Sequence, residues 1–179
     1  IFIFITRANA SAERIHEVLS IVSQIQNPSQ PDSTPIKKGI VEFEKVTFQF
    51  GEDGEEPALK DISFVAQPGE TIAILGRTGS GKSTLMNLIP RLYDVNKGRV
   101  KIDERDVRVF DFETLRSSIG IVPQDTILFS GTIKENIKWG NPQASDQEVI
   151  AAAKIAQADQ FIIQFPEGYN TLINQRGTN

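Results

Sequence analysis

Gly76-Arg77-Thr78-Gly79-Ser80-Gly81-Lys82-Ser83 sets a glycine, four residues, a second glycine, then a lysine and a hydroxyl residue. Immediately before it, Thr71 to Leu75 is a short, almost wholly apolar run that reads as a buried strand. Immediately after it, Leu85, Leu88, Ile89 and Leu92 recur at i, i+3, i+4 and i+7, the stripe of a core-facing helix. Strand, glycine loop and helix in this order are the setting in which such a motif holds a phosphate group. The glycines permit backbone angles that side chains forbid, so successive N–H groups can turn inward around an anion. Lys82 is then expected along the β- and γ-phosphates as a mobile point charge, and Ser83 as a ligand of Mg²⁺. Thr84 either meets the α-phosphate or caps the helix. A chance match to the four fixed positions is on the order of one per cent for a chain this long, which disfavours a mere glycine-rich turn.

Upstream of the loop, Val41 and Phe43 alternate, and the phase then shifts to Val46, Phe48 and Phe50, as in two edge strands or one bulged strand. Gly51 to Pro57 reads as an acidic turn. Leu59, Ile62, Phe64 and Val65 suggest another strand, stopped by Pro68-Gly69. Downstream, Val100 and Ile102 suggest a strand, Asp111 can cap a short helix through Arg116, and Ile119 to Val122 reads as a second buried strand before Pro123. Ser145 and Glu148 form a capping-box pair opening an Ala-rich helix toward Ala158, followed by Phe161 to Phe165 and a Pro-Glu-Gly stop. The alternation of strands and helices predicts an α/β domain.

The leader differs. Ile1 to Ile5 is an apolar run far short of the roughly 20 residues a membrane helix needs; it is a strand or frayed end, or the tail of a truncated membrane helix. Ile15, Val18, Leu19 and Val22 predict an amphipathic helix with Ser11 as its N-cap, and Gln26 to Pro35 has the composition of a polar linker. At 179 residues and 39% hydrophobic, the chain can bury one sizeable core. Its net charge of −4 disfavours nucleic acid as a partner, although Arg99 to Arg108 is locally basic. With no cysteine and a single histidine, His16, zinc is not expected. The first residue is Ile1 and the only methionine Met86, so the chain is expected to be cut from something longer.

Among nucleotides, guanine is disfavoured. Asn96-Lys97 continues as Gly98-Arg99 rather than toward an aspartate, and no aspartate is followed by glycine three residues on. An adenine instead finds an aromatic candidate upstream in Phe50, on which a base can stack without base-specific hydrogen bonds.

LGRTGSGKSTLMNLIPRL over Leu75 to Leu92 and GIVPQDTILFSGTIKENIKWG over Gly120 to Gly140 closely resemble the ABC exporters, in particular bacterial multidrug types with fused membrane and ATPase domains. The similarity runs through about residues 37 to 179, and Arg7, Ala8 and Ser11 to Leu19 look like the segment joining the last membrane helix to the ATPase domain. GKSTLMNLIPRL with GTIKENIKWG is especially similar to one half of heterodimeric exporters. The resemblance implies a P-loop NTPase core with an antiparallel β subdomain and the start of a helical subdomain, preceded by a short amphipathic helix and linker. Residues 1–25 would end the membrane-domain segment and form the connecting helix, 26–37 the linker, and 38–179 the N-terminal part of an ATP-binding domain.

The resemblance also implies roles. ATP and Mg²⁺ would be held by Gly76, Arg77, Thr78, Gly79, Ser80, Gly81, Lys82, Ser83 and Thr84. Phe50 stands where the family usually has an adenine-stacking tyrosine. Gln124, after Val122-Pro123, matches the Gln-loop whose amide reaches Mg²⁺ and the attacking water. Lys82 and Gln124 would be the catalytic groups here. The turn from Ser130 to Trp139 resembles the stretch facing the coupling helices of the membrane domain, and Asn174-Gln175-Arg176-Gly177 falls where exporters carry Glu-Arg-Gly, with Gln175 replacing the acid. A second nucleotide-binding domain would pair head to tail, at the cytoplasmic face of the plasma membrane. The family's Asp-Glu strand end, later histidine and Ser-Gly-Gly-Gln signature have no match here. The chain by itself is therefore expected to bind Mg-ATP weakly without turning it over, and to leave apolar surface and strand edges uncovered. A non-hydrolysing nucleotide-binding module that orders a partner interface is the alternative, and a small-molecule kinase a more distant one.

Overall fold

The computed structural model describes residues 2–51, 56–125 and 127–174. The expected acidic turn falls mainly at 52–55, and Gln175, Arg176 and Gly177 fall at the far end; these lie outside the described residues. The chain forms two compact units, one through Gly120 and one from Ile121.

The first unit is built on a four-stranded antiparallel sheet. It comprises β1 (Val41–Phe48), β2 (Leu59–Ala66), β3 (Lys97–Ile102) and β4 (Arg105–Asp106), in the order β2-β1-β3-β4. The phase shift in β1 proves to be a bulge in one strand. Its register slips between Phe43 and Val46 against β2, and between Glu44 and Thr47 against β3. Lys45 takes a left-handed φ of 45°, so Phe43 and Val46, three positions apart, both point into the core. Backbone groups displaced by the irregularity find hydroxyls: Lys45 N–H donates to Ser63 Oγ at 2.9 Å, and Asp61 N–H to Thr47 Oγ1 at 3.2 Å. Gly98 of β3 faces the bulge, where a Cβ would come within 2.2 Å of the Glu44 carbonyl oxygen.

Phe43, Val46, Phe48 and Leu59 from the sheet meet Val100, Ile102, Phe110, and Leu85 and Leu88 of helix α2 (Lys82–Leu88) in one core. Phe64 stacks on Phe43 at 4.7 Å. Helix α3 (Phe112–Ser117) adds Leu115 and begins as its sequence predicts, with Asp111 Oδ2 accepting from Glu113 and Thr114 N–H. The stripe expected to run to Leu92 stops early. Pro90 and a left-handed Arg91 (φ 53°) turn the chain after α2, leaving Leu92 partly exposed. Arg91 then forms a bidentate pair with Asp94 at 2.8 and 3.0 Å, and Arg116 donates to the carbonyls of Pro90 and Arg91 while lying over the Phe112 ring. These contacts tie the segment after α2 to α3.

Helix α1 spans Phe2–Ser20. Ser11 is thus interior rather than an N-cap, and the apolar residues from Phe2 to Ile5 are helical rather than extended. Ile15, Val18 and Leu19 are exposed, so the apolar stripe is uncovered. Among the described residues, no helix is long and apolar enough to cross a membrane. The polar stretch that follows forms no helix or strand of its own, yet it is pinned. Asp32 exchanges backbone hydrogen bonds with Val109 and Asp111, and its carboxylate meets Arg105 at 2.9 Å. Asp103 accepts from the N–H groups of Lys37, Lys38 and Ile40.

Two expected strands are not strands. Thr71 to Leu75 and Ile119 to Val122 carry no ladder; Leu75 is 92% exposed and Val122 95%. Only Ile74 and Ile119 reach the edge of the core. An apolar run becomes a strand by pairing, and no described strand lies beside either one.

The second unit is helical around a two-stranded ribbon, β5 (Gly131–Thr132) with β6 (Leu172–Ile173). Helices α4 (Ile133–Lys138) and α5 (Asp146–Ile155) both open with complete capping boxes, Thr132 with Glu135 and Ser145 with Glu148. The N–H donated by each cap residue holds the glutamate carboxyl below its ordinary range. The helix expected to reach Ala158 ends at Ile155, because Gln157 turns left-handed (φ 58°), and α6 (Asp159–Ile162) restarts it. Ile133, Ala153 and Ile162 form the unit's core. Tyr169 donates to Asp159 Oδ1 at 2.6 Å; burial, then that bond, pushes its phenol up to about 12.

Candidate functional site

The glycine loop leads into α2 through Gly81, the helix's N-cap residue, which has φ 84° and ψ 5°. Two constraints select glycine here: the left-handed backbone, and the Ala58 carbonyl oxygen, which would sit 2.5 Å from any Cβ. Gly79 is also left-handed, at φ 82°, with open space where its Cβ would be. The loop closes on itself through Ser80 N–H to Arg77 O at 3.2 Å. The first intrahelical bond runs from Leu85 N–H to Gly81 O at 2.9 Å, so the N–H groups at 82–84 are the helix's unshared donors. The N-cap residue Gly81 has no side chain and so makes no side-chain cap hydrogen bond to α2.

Lys82 folds back over the loop. Its Nζ donates to Gly76 O at 3.0 Å and Arg77 O at 2.8 Å, with Ser80 Oγ at 3.5 Å. Its hydrogen-bond partners are therefore neutral oxygens rather than a carboxylate. A concavity of about 370 Å³ opens beside it, lined by Phe50, Ala58 and the run Gly79 to Thr84. Among the described residues its lining includes one cation, three hydroxyls, backbone amides and one aromatic ring, and no carboxylate.

The structure thus brings Phe50 to the loop, as the sequence suggests. Gly76, Arg77 and Thr78 form the loop's approach and do not line the concavity. Gln124 belongs to the second unit, exposed in a bend after Pro123. Sequence reasoning missed two neighbours. Ala58 presses its carbonyl against Gly81, for which nothing in the sequence gave a signal. Tyr93 packs edgewise to Phe50 with ring centroids 5.3 Å apart, and an aromatic shortly after the helix stripe was the available hint.

A larger concavity, about 570 Å³, lies within the second unit, lined by Leu128, Phe129, Ile137, Trp139, Phe161 and Phe165 among others. Phe129 and Trp139 stack at 4.3 Å. Among the described residues, that lining has no titratable group. Among the described residues, no cluster of three or more His, Cys, Asp or Glu could hold a metal ion.

Comparison with known proteins agrees with this geometry. The ABC transporter family model matches residues 59–175, most of the chain. The ABC transporter ATP-binding protein YfiB of Bacillus subtilis is 50% identical over 176 residues, covering 97% of this chain and 30% of that protein. The heavy metal tolerance protein of Schizosaccharomyces pombe is 47% identical over 153 residues, covering 86% of this chain and 18% of that protein. A Staphylococcus aureus protein named as a multidrug export ATP-binding/permease protein is 48% identical over 153 residues, 86% of this chain and 26% of its own. The chain therefore spans less than a third of the length of these relatives. A solved bacterial Atm1-family ABC exporter with ATP bound superposes with a TM-score of 0.86 at 34% identity, over 98% of this chain and 31% of that one. The fold is the mixed α/β, P-loop NTPase fold of an ABC ATPase domain. On its own sequence and on these likenesses, the chain belongs to the ABC transporter family.

Proposed function

We propose that this chain is the ATP-binding segment of an ABC exporter subunit, which couples ATP binding and hydrolysis to efflux of small molecules or lipids across a membrane. One observation carries the reading: Phe50, the turned backbone of Gly79 to Gly81, the Lys82 ammonium and the Ser83 and Thr84 hydroxyls line the same concavity. The base stacks on Phe50, and the amides of Gly79 to Thr84 surround the phosphates. The approach formed by Gly76, Arg77 and Thr78 fixes the loop's shape. Lys82 exchanges the neutral carbonyls of Gly76 and Arg77 for β- and γ-phosphate oxygens, a stronger set of bonds in which donor and acceptor are both charged. The ammonium is already held over the loop, so little ordering remains to be done on binding.

The donor set suits Mg²⁺ rather than a cation that needs a protein cage. Ser83 offers one exposed hydroxyl in the concavity, and Mg²⁺ takes most of its ligands from phosphate and water. When bound, Mg²⁺ neutralises phosphate charge. Gln124 is assigned, from the family resemblance alone, to Mg²⁺ and the attacking water. Residues 1–25 are assigned to the end of a membrane-domain segment, 26–37 to the linker and 38–179 to the ATP-binding domain; the uncovered stripe of α1 supports the first of these. The partners are a second nucleotide-binding domain, paired head to tail, and the coupling helices of a membrane domain at the cytoplasmic face of the plasma membrane. The apolar concavity around Phe129 and Trp139 supports the latter contact.

Lys82→Ala in the full-length protein is the test. Mg-ATP affinity should fall more than about 10-fold, the loss of a charge-assisted contact; unchanged affinity sinks the reading. A second reading is a nucleotide-binding module without turnover; among the described residues, the concavity's lining includes no carboxylate. Sustained phosphate release by the full-length protein, abolished by Lys82→Ala, supports the exporter; binding without release supports the module.

A further inference from the structure

We propose that Tyr93 is a positioning residue for base recognition, one that holds the Phe50 ring over the phosphate loop without itself touching nucleotide; this rests on the nucleotide reading above. Phe50 lies two residues beyond the end of β1 and next to Gly51, whose φ is 79°. No sheet ladder fixes its backbone, and the residue is 46% exposed. A ring so placed would swing freely unless neighbours restrain it.

Two do. Phe48, fully inside the core, meets Phe50 at 4.8 Å and 88°; Tyr93 meets it at 5.3 Å and 88°, and the triangle closes with Phe48 to Tyr93 at 5.4 Å and 46°. Perpendicular ring pairs at these separations are the favoured aromatic geometry. Phe50 lines the concavity of the glycine loop, whereas Phe48 and Tyr93 do not. Tyr93 therefore stands behind the ring rather than in the site.

Tyr93 is itself anchored. It sits between Arg91 and Asp94, whose bidentate pair at 2.8 and 3.0 Å fixes the backbone on either side of it, and Arg91 also donates to the Arg108 carbonyl. The next residues are laced to the end of β1: Asn96 N–H donates to Thr47 O at 3.1 Å, and Gln49 N–H donates to Asn96 Oδ1 at 2.9 Å. The segment after α2, the helix that carries Lys82 at its start, thus reaches back to the strand end that carries Phe50. Through Tyr93, the base platform and the phosphate loop share one rigid support.

The experiment compares Mg-ATP with Mg-tripolyphosphate, which has the phosphates and no base, as ligands of the full-length protein. Tyr93→Leu should weaken Mg-ATP about 2- to 10-fold, the range of an aromatic pair, and leave Mg-tripolyphosphate unchanged. Tyr93→Phe, which keeps the ring, should restore ATP affinity to within about 2-fold. In a Phe50→Ala background Tyr93→Leu should cost nothing further. Tyr93→Met gives the same reading with a more adaptable side chain should the leucine variant fail to fold. Unchanged ATP affinity in Tyr93→Leu, equal loss of both ligands, or no rescue by phenylalanine overturns the assignment. Failure of the unmodified protein to bind Mg-ATP overturns the nucleotide reading instead, and this with it.

Discussion

Strand β1 and the run Thr71 to Leu75 are five- to eight-residue segments that both carry apolar residues for a core, and their fates are opposite. β1 is irregular, bulged at Lys45 and charged at Glu42, Glu44 and Lys45, yet it is the centre of the core because β2 and β3 flank it on both sides. Thr71 to Leu75 has the cleaner strand composition and no ladder, since no described strand lies beside it. Ile119 to Val122 repeats the case. What makes a strand is the neighbour that satisfies its N–H and C=O groups; apolar composition alone states only which segments would profit from one.

The difference can be broken by mutation. Phe43→Ala, which empties a fully buried ring site stacked against Phe64, should destabilise the chain by about 3–5 kcal/mol. Leu75→Ser, at an almost fully exposed position, should change it by no more than about 0.5 kcal/mol. Denaturant unfolding of the two variants measures both. A large loss at Leu75 would mean that its run is paired and buried after all.

A smaller effect concerns the polar stretch that leads into β1. The Asp32 carboxyl is held down from 3.8 to about 2, chiefly by hydrogen bonds from Thr34 and then by Arg105. Its folded value lies below its unfolded one, so the stabilisation is complete above about pH 4 and is lost as pH falls toward 2. The stability gap between the unmodified chain and Asp32→Asn should therefore narrow on acidification across that window. A gap that stays constant with pH would show that the carboxylate's charge has no part in pinning the stretch.

The same contrast explains what could be read in the sequence. Asp111, and Ser145 with Glu148, announce helix starts because a cap acts over three residues. The phase shift between Phe43 and Val46 announces a break in the alternation for the same local reason, without deciding between two edge strands and one bulged strand. The glycine loop is legible because its chemistry lies within eight consecutive residues. The early end of α2 was foreshadowed by Pro90, but the left-handed turns at Arg91 and Gln157 have no strong residue signal. Ala58 was beyond reach and Tyr93 only faintly signalled, because each meets the site through a contact with a residue far away in sequence.

The central claim is that the turned backbone from Gly79 to Thr84 holds the phosphates of a nucleotide. Hydrogen exchange at those amides, measured on the full-length protein with and without saturating Mg-ATP, tests it most directly. Exchange there should slow by at least about 10-fold while the amides of β1, already locked in the sheet, stay as they were. Unaltered exchange at Gly79 to Thr84 under conditions where ATP is demonstrably bound would contradict the account and place the nucleotide elsewhere.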